Sequence, residues 1–189
     1  MKELLTDIRN CVTCLPHLSH GVNPVLSIHA ESKIAIIGQA PGSIVHLSGI
    51  PWDDKSGDRL REWLGVDAPD FYDSMNFAIV PMGFCYPGKG KSGDLPPRPE
   101  CAPQWHEAIF DRLNQIELVL LIGAYAQKYY LGDRMERNLT ETVRNFREYM
   151  PQFIPLPHPS PRNNIWLRKN LWFDKELIPE LQKVVKEIL

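Results

Sequence analysis

The residues best suited to chemistry in this 189-residue chain are its four cysteines, which form two spaced pairs. Two residues separate Cys11 from Cys14, and fifteen separate Cys85 from Cys101. Because the N-terminal residues lack the apolar core of a secretory signal, disulfides are disfavoured and metal or cluster binding gains weight. Four thiolates suit a structural tetrahedral zinc ion or a four-iron cluster. A thioredoxin-type redox pair and four unrelated buried thiols are the alternatives.

A second candidate site is the loop of residues 157–164, PHPSPRNN, in which three prolines alternate with other residues. Proline fixes the backbone, so the loop is predicted to be rigid and extended and to present His158 with little freedom. A histidine in this position either acts in a site or makes a structural hydrogen bond. The polar residues that follow it and can reach phosphates or bases are Ser160, Arg162 and Asn163.

Residues 33–42, KIAIIGQAPG, join an apolar run to a glycine- and proline-rich turn. The uninterrupted apolar run predicts a strand buried on both faces of a parallel sheet. Open α/β sheets bind ligands beyond the carboxyl ends of their strands, which is where this turn lies. Its candidate ligand-contacting residues are Gly38, Gln39, Ala40, Pro41 and Gly42. Shortly after the turn, Trp52 in a Gly-Ile-Pro-Trp segment either stacks on a planar ligand or packs in the core.

The composition is that of an ordinary globular domain, with 43% hydrophobic and 23% charged residues. A net charge of −2 argues against a protein coated in basic charge, but a local basic patch can still contact nucleic acid. Lys89, Lys91 and Arg98 either form such a patch or are simply solvated. The length suits one domain, residues 1–189. No apolar run is long enough to cross a membrane, so we expect a cytoplasmic protein without a membrane partner.

Apolar runs that alternate with helical patterns predict four strands separated by helices. The predicted strands are residues 33–38, 76–82, 118–123 and 152–156. The predicted helices are residues 3–14, 56–64, 102–115, 124–131, 138–148 and 173–188. This order predicts a three-layer α/β/α domain with a short, mostly parallel, four-stranded central sheet. The loops after the first, second and fourth strands can then converge along one edge of the sheet.

Taken in order, GQAPG, GIPW, the cysteine spacing and HPSPRN resemble the uracil-DNA glycosylase superfamily over residues 11–163. The chain looks most like the bacterial and archaeal iron–sulfur (family 4-like) members. Those have an N-terminal Cys-x2-Cys pair, a GEAPG turn, a Gly-x-Pro-Phe segment, a second spaced cysteine pair and an HP-containing loop after strand four. The HPSPRN spelling is closer to the single-strand-selective monofunctional uracil glycosylases, which lack the cluster.

The resemblance implies a structural [4Fe–4S] cluster bound by Cys11, Cys14, Cys85 and Cys101. It implies that Trp52 stacks on the flipped base and that His158 hydrogen-bonds uracil O2 as the base leaves. Such a fixed donor stabilises the developing anion by about 3 kcal/mol. Gly42 and Ser43 are implied to meet the phosphate backbone or the base. The implied wedge that presses into the minor groove is Ser160, Pro161 and Arg162.

Two features depart from the family pattern: the turn, at Gln39 and Ala40, and the residue at position 81. Gln39 replaces the glutamate of the cluster-bearing family, and Ala40 stands where other branches have Asp or Asn, so the turn lacks a water-activating acid. We expect Gln39 to position water, and Asp53 or Asp54 is a candidate for the missing acid. Pro81 stands where the family has an asparagine that reads uracil.

The sequence therefore predicts a monomeric DNA glycosylase, a hydrolase of base-excision repair that releases uracil or another deaminated base from DNA. Two alternatives stay open. The departures at Gln39 and Pro81 favour a module of the same fold that binds damaged or single-stranded DNA without cutting it. The acidic balance leaves room for an α/β enzyme that acts on nucleosides or nucleotides. Structural zinc is the alternative to the iron–sulfur cluster.

Overall fold

Four short apolar segments form the central sheet in the computed structural model, which describes residues 1–189. The strands are β1 (Ile34–Ile37), β2 (Phe77–Ile79), β3 (Leu118–Ile122) and β4 (Phe153–Leu156). They lie in the order β2-β1-β3-β4, and every neighbouring pair is parallel. The predicted mostly parallel, four-stranded sheet is therefore confirmed, and it is entirely parallel.

Nine α-helices connect and cover these strands. They are α1 (Lys2–Arg9), α2 (Ser43–Ser48), α3 (Lys55–Leu64), α4 (Ala68–Tyr72), α5 (Cys101–Phe110), α6 (Ala124–Leu131), α7 (Leu139–Arg144), α8 (Asn164–Lys169) and α9 (Ile178–Ile188). A π-helical turn, Phe173–Leu177, leads into α9. The sequence patterns predict six of the nine; the short helices α2, α4 and α8 are additional. None of the helices is long and apolar enough to cross a lipid bilayer.

The strands send alternate side chains to two separate cores, because successive residues of a strand point to opposite faces. Ile34 and Ile36 pack with residues of α3 and α9, whereas Ala35 and Ile37 pack with residues of α1, α5 and α6. The two cores contain 19 and 18 buried residues, so neither face of the sheet is left to solvent. Helices on both faces of a parallel sheet give the predicted three-layer α/β/α architecture.

Four predicted elements are too long. The helices predicted over residues 102–115 and 138–148 end at Phe110 and Arg144. The second strand ends at Ile79 rather than at residue 82. The N–H groups of Val80 and Met82 still donate to the carbonyls of Ile36 and Gly38 (2.9 Å each), so the chain stays attached to the β1 side beyond the end of the strand. The first helix ends at Arg9 rather than at residue 14. Pro16 disfavours helical geometry in the residue before it, and a 3-10 turn occupies Leu15–His17. Cys11 and Cys14 therefore lie in the turns that follow α1.

A buried histidine joins the helical layer to the loop that follows β2. His106 of α5 donates from Nε2 to the carbonyl oxygen of Pro81 (3.1 Å). That carbonyl can only accept, so Nδ1 of the neutral ring accepts from the Tyr130 hydroxyl (2.6 Å). Burial lowers the pKa of His106 from 6.5 to about 4.

This histidine makes the fold sensitive to acid. Below pH 6.5 His106 becomes protonated in the unfolded chain but stays neutral in the folded chain. The free energy of unfolding therefore falls as the pH drops towards 4. We expect His106 to account for a loss of about 2 kcal/mol in the free energy of unfolding between pH 7 and pH 5. Urea titrations at both pH values measure the loss. His106→Asn should shrink it and the partly exposed control His29→Asn should not. An unchanged loss in His106→Asn would contradict this account.

Candidate active site

A cavity of about 470 Å³ opens beyond the carboxyl ends of β1 and β4. Most of its lining comes from four segments that are distant in sequence: residues 38–42, 51–56, 92–95 and 158–163. The rest comes from Val25, Val45, Ile79, Pro81 and Pro87. All ten residues predicted as catalytic or substrate-binding line it. They are Gly38, Gln39, Ala40, Pro41, Gly42, Trp52, His158, Ser160, Arg162 and Asn163. The fold thus brings the predicted residues together, and their chemical roles stay predictions.

The turn after β1 is fixed to its neighbours by main-chain hydrogen bonds. The carbonyl of Gly38 accepts from the N–H of Met82 (2.9 Å), and that of Gln39 accepts from the N–H of Gly83 (3.0 Å). The Gln39 amide nitrogen makes a long contact of 3.5 Å with the carbonyl oxygen of Leu95. The turn is therefore held by the segment after β2 and touches the loop that carries Leu95.

That loop is a small hairpin, residues 88–95, which overhangs the cavity. The N–H of Leu95 donates to Gly88 (2.9 Å), and the N–H of Gly90 donates to Gly93 (2.6 Å). Nη1 of Arg162 donates to the carbonyl oxygen of Ser92 (3.3 Å) and so ties the hairpin to the histidine loop. Arg162 is predicted to reach DNA, but in this structure its guanidinium makes an internal contact.

Trp52 forms one wall of the cavity in an uncommon backbone conformation. Its φ of 57° lies in the left-handed region, which residues other than glycine rarely adopt. Gly57 leaves the space that this requires, because a Cβ there would overlap the Trp52 carbonyl. Gly38 lies against the indole, where a Cβ would come within 2.9 Å of Cζ2. The Tyr72 hydroxyl donates to the same Trp52 carbonyl (3.3 Å), so both the backbone and the ring are held in place.

His158 lies beside Trp52, with the ring centroids 5.6 Å apart and the planes inclined by 36°. The backbone N–H of Ser160 donates to Nδ1 (3.2 Å), and the Asn163 amide donates to the His158 carbonyl (2.7 Å). Because Nδ1 accepts a hydrogen bond, the neutral imidazole carries its proton on Nε2. The loop therefore fixes both the position and the tautomer of the histidine.

Burial lowers the pKa of His158 and outweighs the opposing effect of the Asp54 and Asp94 carboxylates. Desolvation disfavours the charged imidazolium, so the ring is neutral near pH 7. His158 then offers a single donor, the Nε2–H, and no positive charge. A neutral donor of this kind can stabilise an anion that forms next to it.

Two carboxylates, from Asp54 and Asp94, reach the same wall of the cavity. A Cβ on Gly42 would lie 4.0 Å from Oδ2 of Asp54 and 3.8 Å from Oδ2 of Asp94. Asp54 also caps α3, since its Oδ1 accepts from two backbone N–H groups at 2.9 Å each. Asp53 is exposed and does not line the cavity, so Asp54 is the better placed of the two acids that follow Trp52.

The family of the chain follows from a comparison with known families. A family model described as the uracil DNA glycosylase superfamily matches residues 27–182. The chain belongs to the uracil DNA glycosylase superfamily. The matched range includes all four strands and the four segments that form most of the cavity lining. The part of the chain that defines the superfamily is therefore also the part that forms the cavity.

The four cysteines of this superfamily member line a second, mostly apolar pocket, beside α1 and the start of α5. Cys11 and Cys14 follow α1, Cys85 lies in the loop after β2, and Cys101 is the first residue of α5. Burial raises the pKa of the Cys101 thiol to about 12. No group of three His, Cys, Asp or Glu side chains has the geometry to hold a single metal ion.

Several N–H donors lie around these sulfur atoms. The N–H of Phe84 donates to Sγ of Cys101 (3.4 Å), and the Gln104 amide donates to Sγ of Cys11 (3.9 Å). Trp105, which lines the same pocket, has a buried Nε1–H without a hydrogen-bond partner. Four thiols around an apolar pocket, with N–H groups among them, have the donor chemistry that an iron–sulfur cluster uses, and thiolates are also ligands of structural zinc.

The long loop between β2 and α5 departs from its predicted role in two respects. Arg98, grouped with Lys89 and Lys91 as a phosphate contact, lines the cysteine pocket and pairs with Glu100. Sequence reasoning also missed Asp94, which gives no local signal apart from its place among glycines and prolines. Only the folding of the hairpin over the cavity shows that Asp94 belongs to the site.

Proposed function

We propose that this protein is a DNA glycosylase that hydrolyses the N-glycosidic bond of uracil or another deaminated base. The observation that carries the proposal is the neutral His158, with its Nε2 proton, beside the ring of Trp52 in a cavity of about 470 Å³. Membership of the uracil DNA glycosylase superfamily supports a substrate in DNA. A base must leave the duplex stack to enter such a cavity, and Trp52 offers the flat surface on which it can stack.

Cleavage of the glycosidic bond leaves negative charge on the departing base and positive charge on the sugar. The Nε2–H of His158 donates to O2 of the base and stabilises the anion as it forms. A buried donor that needs no reorientation at the moment of reaction is more effective than a water molecule. The hydrogen bond from Ser160 to Nδ1 keeps the proton on Nε2 throughout.

The attacking water needs a base that can take its proton, and the turn after β1 contains none. Gln39 can hold water, but its amide is not a base near neutral pH. Asp54 orients the water in this proposal, because its Oδ2 lies beside the turn at Gly42. Its Oδ1 is anchored to the start of α3, so the carboxylate is held at a fixed position.

Oligonucleotides that carry uracil, hypoxanthine or xanthine, in single and double strands, test the activity and identify the base. Because Pro81 has no side-chain amide to read uracil, lesions other than uracil belong in the panel from the start. We expect an abasic product from at least one of them. Damage-selective binding without any abasic product would instead support the non-catalytic module.

We propose further that Cys11, Cys14, Cys85 and Cys101 hold a structural [4Fe–4S] cluster, as in the iron–sulfur branch of the superfamily. When bound, such a cluster links the turns after α1 to the loop after β2 and to α5. The pocket is formed by the fold itself, and N–H donors to the sulfurs are a known feature of cluster sites. The cluster has no part in the steps described above.

Metal analysis separates this proposal from structural zinc. Protein purified without oxygen is expected to be brown and to contain about four iron atoms and four sulfides per chain. Cys101→Ser should lose the iron and lower the thermal unfolding temperature, whereas Thr6→Ala, an exposed change on α1 outside the cysteine pocket, should keep both. A colourless protein with one zinc ion per chain would contradict the cluster proposal and show that the site holds structural zinc.

A further inference from the structure

The hairpin delivers a carboxylate that the superfamily resemblance does not point to. Oδ2 of Asp94 and Oδ2 of Asp54 both lie within 4.0 Å of the point where a side chain on Gly42 would begin. Gly42 belongs to the same turn as Gln39 and Ala40, the two positions that lack the usual acid. The space beside Gly42 therefore has two acceptors next to it, one from the start of α3 and one from the hairpin.

We propose that Asp94 is a second catalytic carboxylate, which holds the attacking water beside Gly42 together with Asp54 and accepts its proton. This inference rests on the proposed glycosylase function and adds a residue to its mechanism. The hairpin thus supplies chemistry in addition to covering the cavity.

The two carboxylates have different structural duties. Asp54 accepts two hydrogen bonds from the first turn of α3, and protonation would weaken that helix cap. Asp94 caps no helix, and its one side-chain partner is the Tyr86 hydroxyl at 3.4 Å. Asp94 can therefore take up a proton without loosening an element of the fold, while Asp54 remains an anchored anion that positions the water.

The reaction balances with these groups alone. The water oxygen forms a bond to C1′ of the sugar, the bond between C1′ and the base nitrogen breaks, and its electron pair leaves with the base. The proton lost by the water passes to the Asp94 carboxylate and then to solvent. The base anion, held by His158, takes up a proton from solvent after it has left.

An acid at the mouth of a DNA-binding cavity has a cost in binding. Asp94 is exposed to solvent, so its charge repels the phosphates of an approaching strand. Removing the charge should therefore tighten DNA binding. If Asp94 had no part in catalysis, its removal would change the affinity and leave the rate of base release unchanged. A catalytic Asp94 predicts opposite effects on affinity and on rate.

Asp94→Asn, compared with Asp53→Asn, is the decisive test. The control removes the same charge from an exposed acid near the cavity that does not line it. With the substrate identified by the lesion panel, we expect Asp94→Asn to lower kcat about 100-fold while DNA binds as tightly or more tightly. Asp53→Asn should keep the wild-type kcat. A wild-type kcat in Asp94→Asn, or an equal loss in both variants, overturns the inference.

Gly42→Ala gives an independent check, because it fills the space between the two carboxylates. The φ of Gly42 is −80°, which any residue adopts, and the new contacts of 3.8 and 4.0 Å are ordinary. The variant should fold normally and release base more slowly; full activity would show that no water needs that space. A wild-type protein that releases no base would remove the proposed function itself, whereas active wild type with active Asp94→Asn removes only the role of Asp94.

Discussion

Replacement of His158 by alanine is expected to lower the single-turnover rate of base release by about 10²–10³-fold. The variant loses the one neutral donor that is fixed beside Trp52 in the cavity. A donor of this kind acts mainly in the transition state, where the charge on the base is greatest. The loss should therefore appear in the rate of cleavage and much less in the affinity for DNA that carries the lesion.

The fold should tolerate this change. His158 sits in a loop framed by prolines, and its backbone carbonyl, rather than its ring, accepts the hydrogen bond from Asn163. His29→Ala is a suitable control, since His29 lies before β1, at the opposite end of the sheet from the cavity. Both variants should bind DNA like wild type, and only His158→Ala should be slow. Base release at the wild-type rate by His158→Ala would take away the observation on which the proposed mechanism depends.

Gly57→Ala is expected to destabilise the protein by about 2 kcal/mol, although helix propensity alone predicts the reverse. Gly57 lies in the first turn of α3, where alanine is favoured over glycine by about 1 kcal/mol. Against this gain, the new Cβ overlaps the Trp52 carbonyl and forces a backbone shift that costs about 3 kcal/mol. The steric cost exceeds the helical gain, so the net effect is a loss.

Urea unfolding measures that loss, and Glu62→Ala, an exposed change in the same helix, is the matched control with little expected effect. Because the overlap displaces Trp52, Gly57→Ala should also lower the rate of base release about tenfold. A loss of this size matches the stacking energy of one base on an aromatic ring. A more stable Gly57→Ala protein would show that the Trp52 segment moves away at little cost. In that case Trp52 would not be the rigid wall described above.

The elements that the sequence predicts well are those with a strong local pattern. In residues 33–42 an apolar run is followed directly by a turn with two glycines, and this pattern predicts a buried strand and a turn that faces a ligand. In the structure the run forms β1 and the turn lines the cavity. The loop of residues 157–164 is similar, since its prolines restrict the backbone whatever surrounds it. Helix α6 matches its predicted bounds, residues 124–131, because a glycine stands at each end, Gly123 and Gly132.

Other features depend on contacts between distant parts of the chain, which no local pattern records. Asp94 enters the site only because the hairpin contacts Gln39 and Arg162, which are about 55 and 70 residues away. Helix α2 is a six-residue element between two glycines, too short to show a helical period. Three other features could be seen only in the folded structure: the cavity, the position of Asp54 beside the turn, and the internal contact of Arg162.

The contact between Arg162 and Ser92 gives the cavity mouth a dependence on ionic strength. The Ser92 carbonyl takes one of the five N–H donors of the guanidinium and leaves its charge unpaired, so Arg162 can still pair with a phosphate. A phosphate that draws Arg162 towards it also pulls on the hairpin, so the exchange of counterions and the position of the hairpin are coupled. Added salt competes with the phosphate and not with the carbonyl, and it thereby favours the state in which the two loops stay joined.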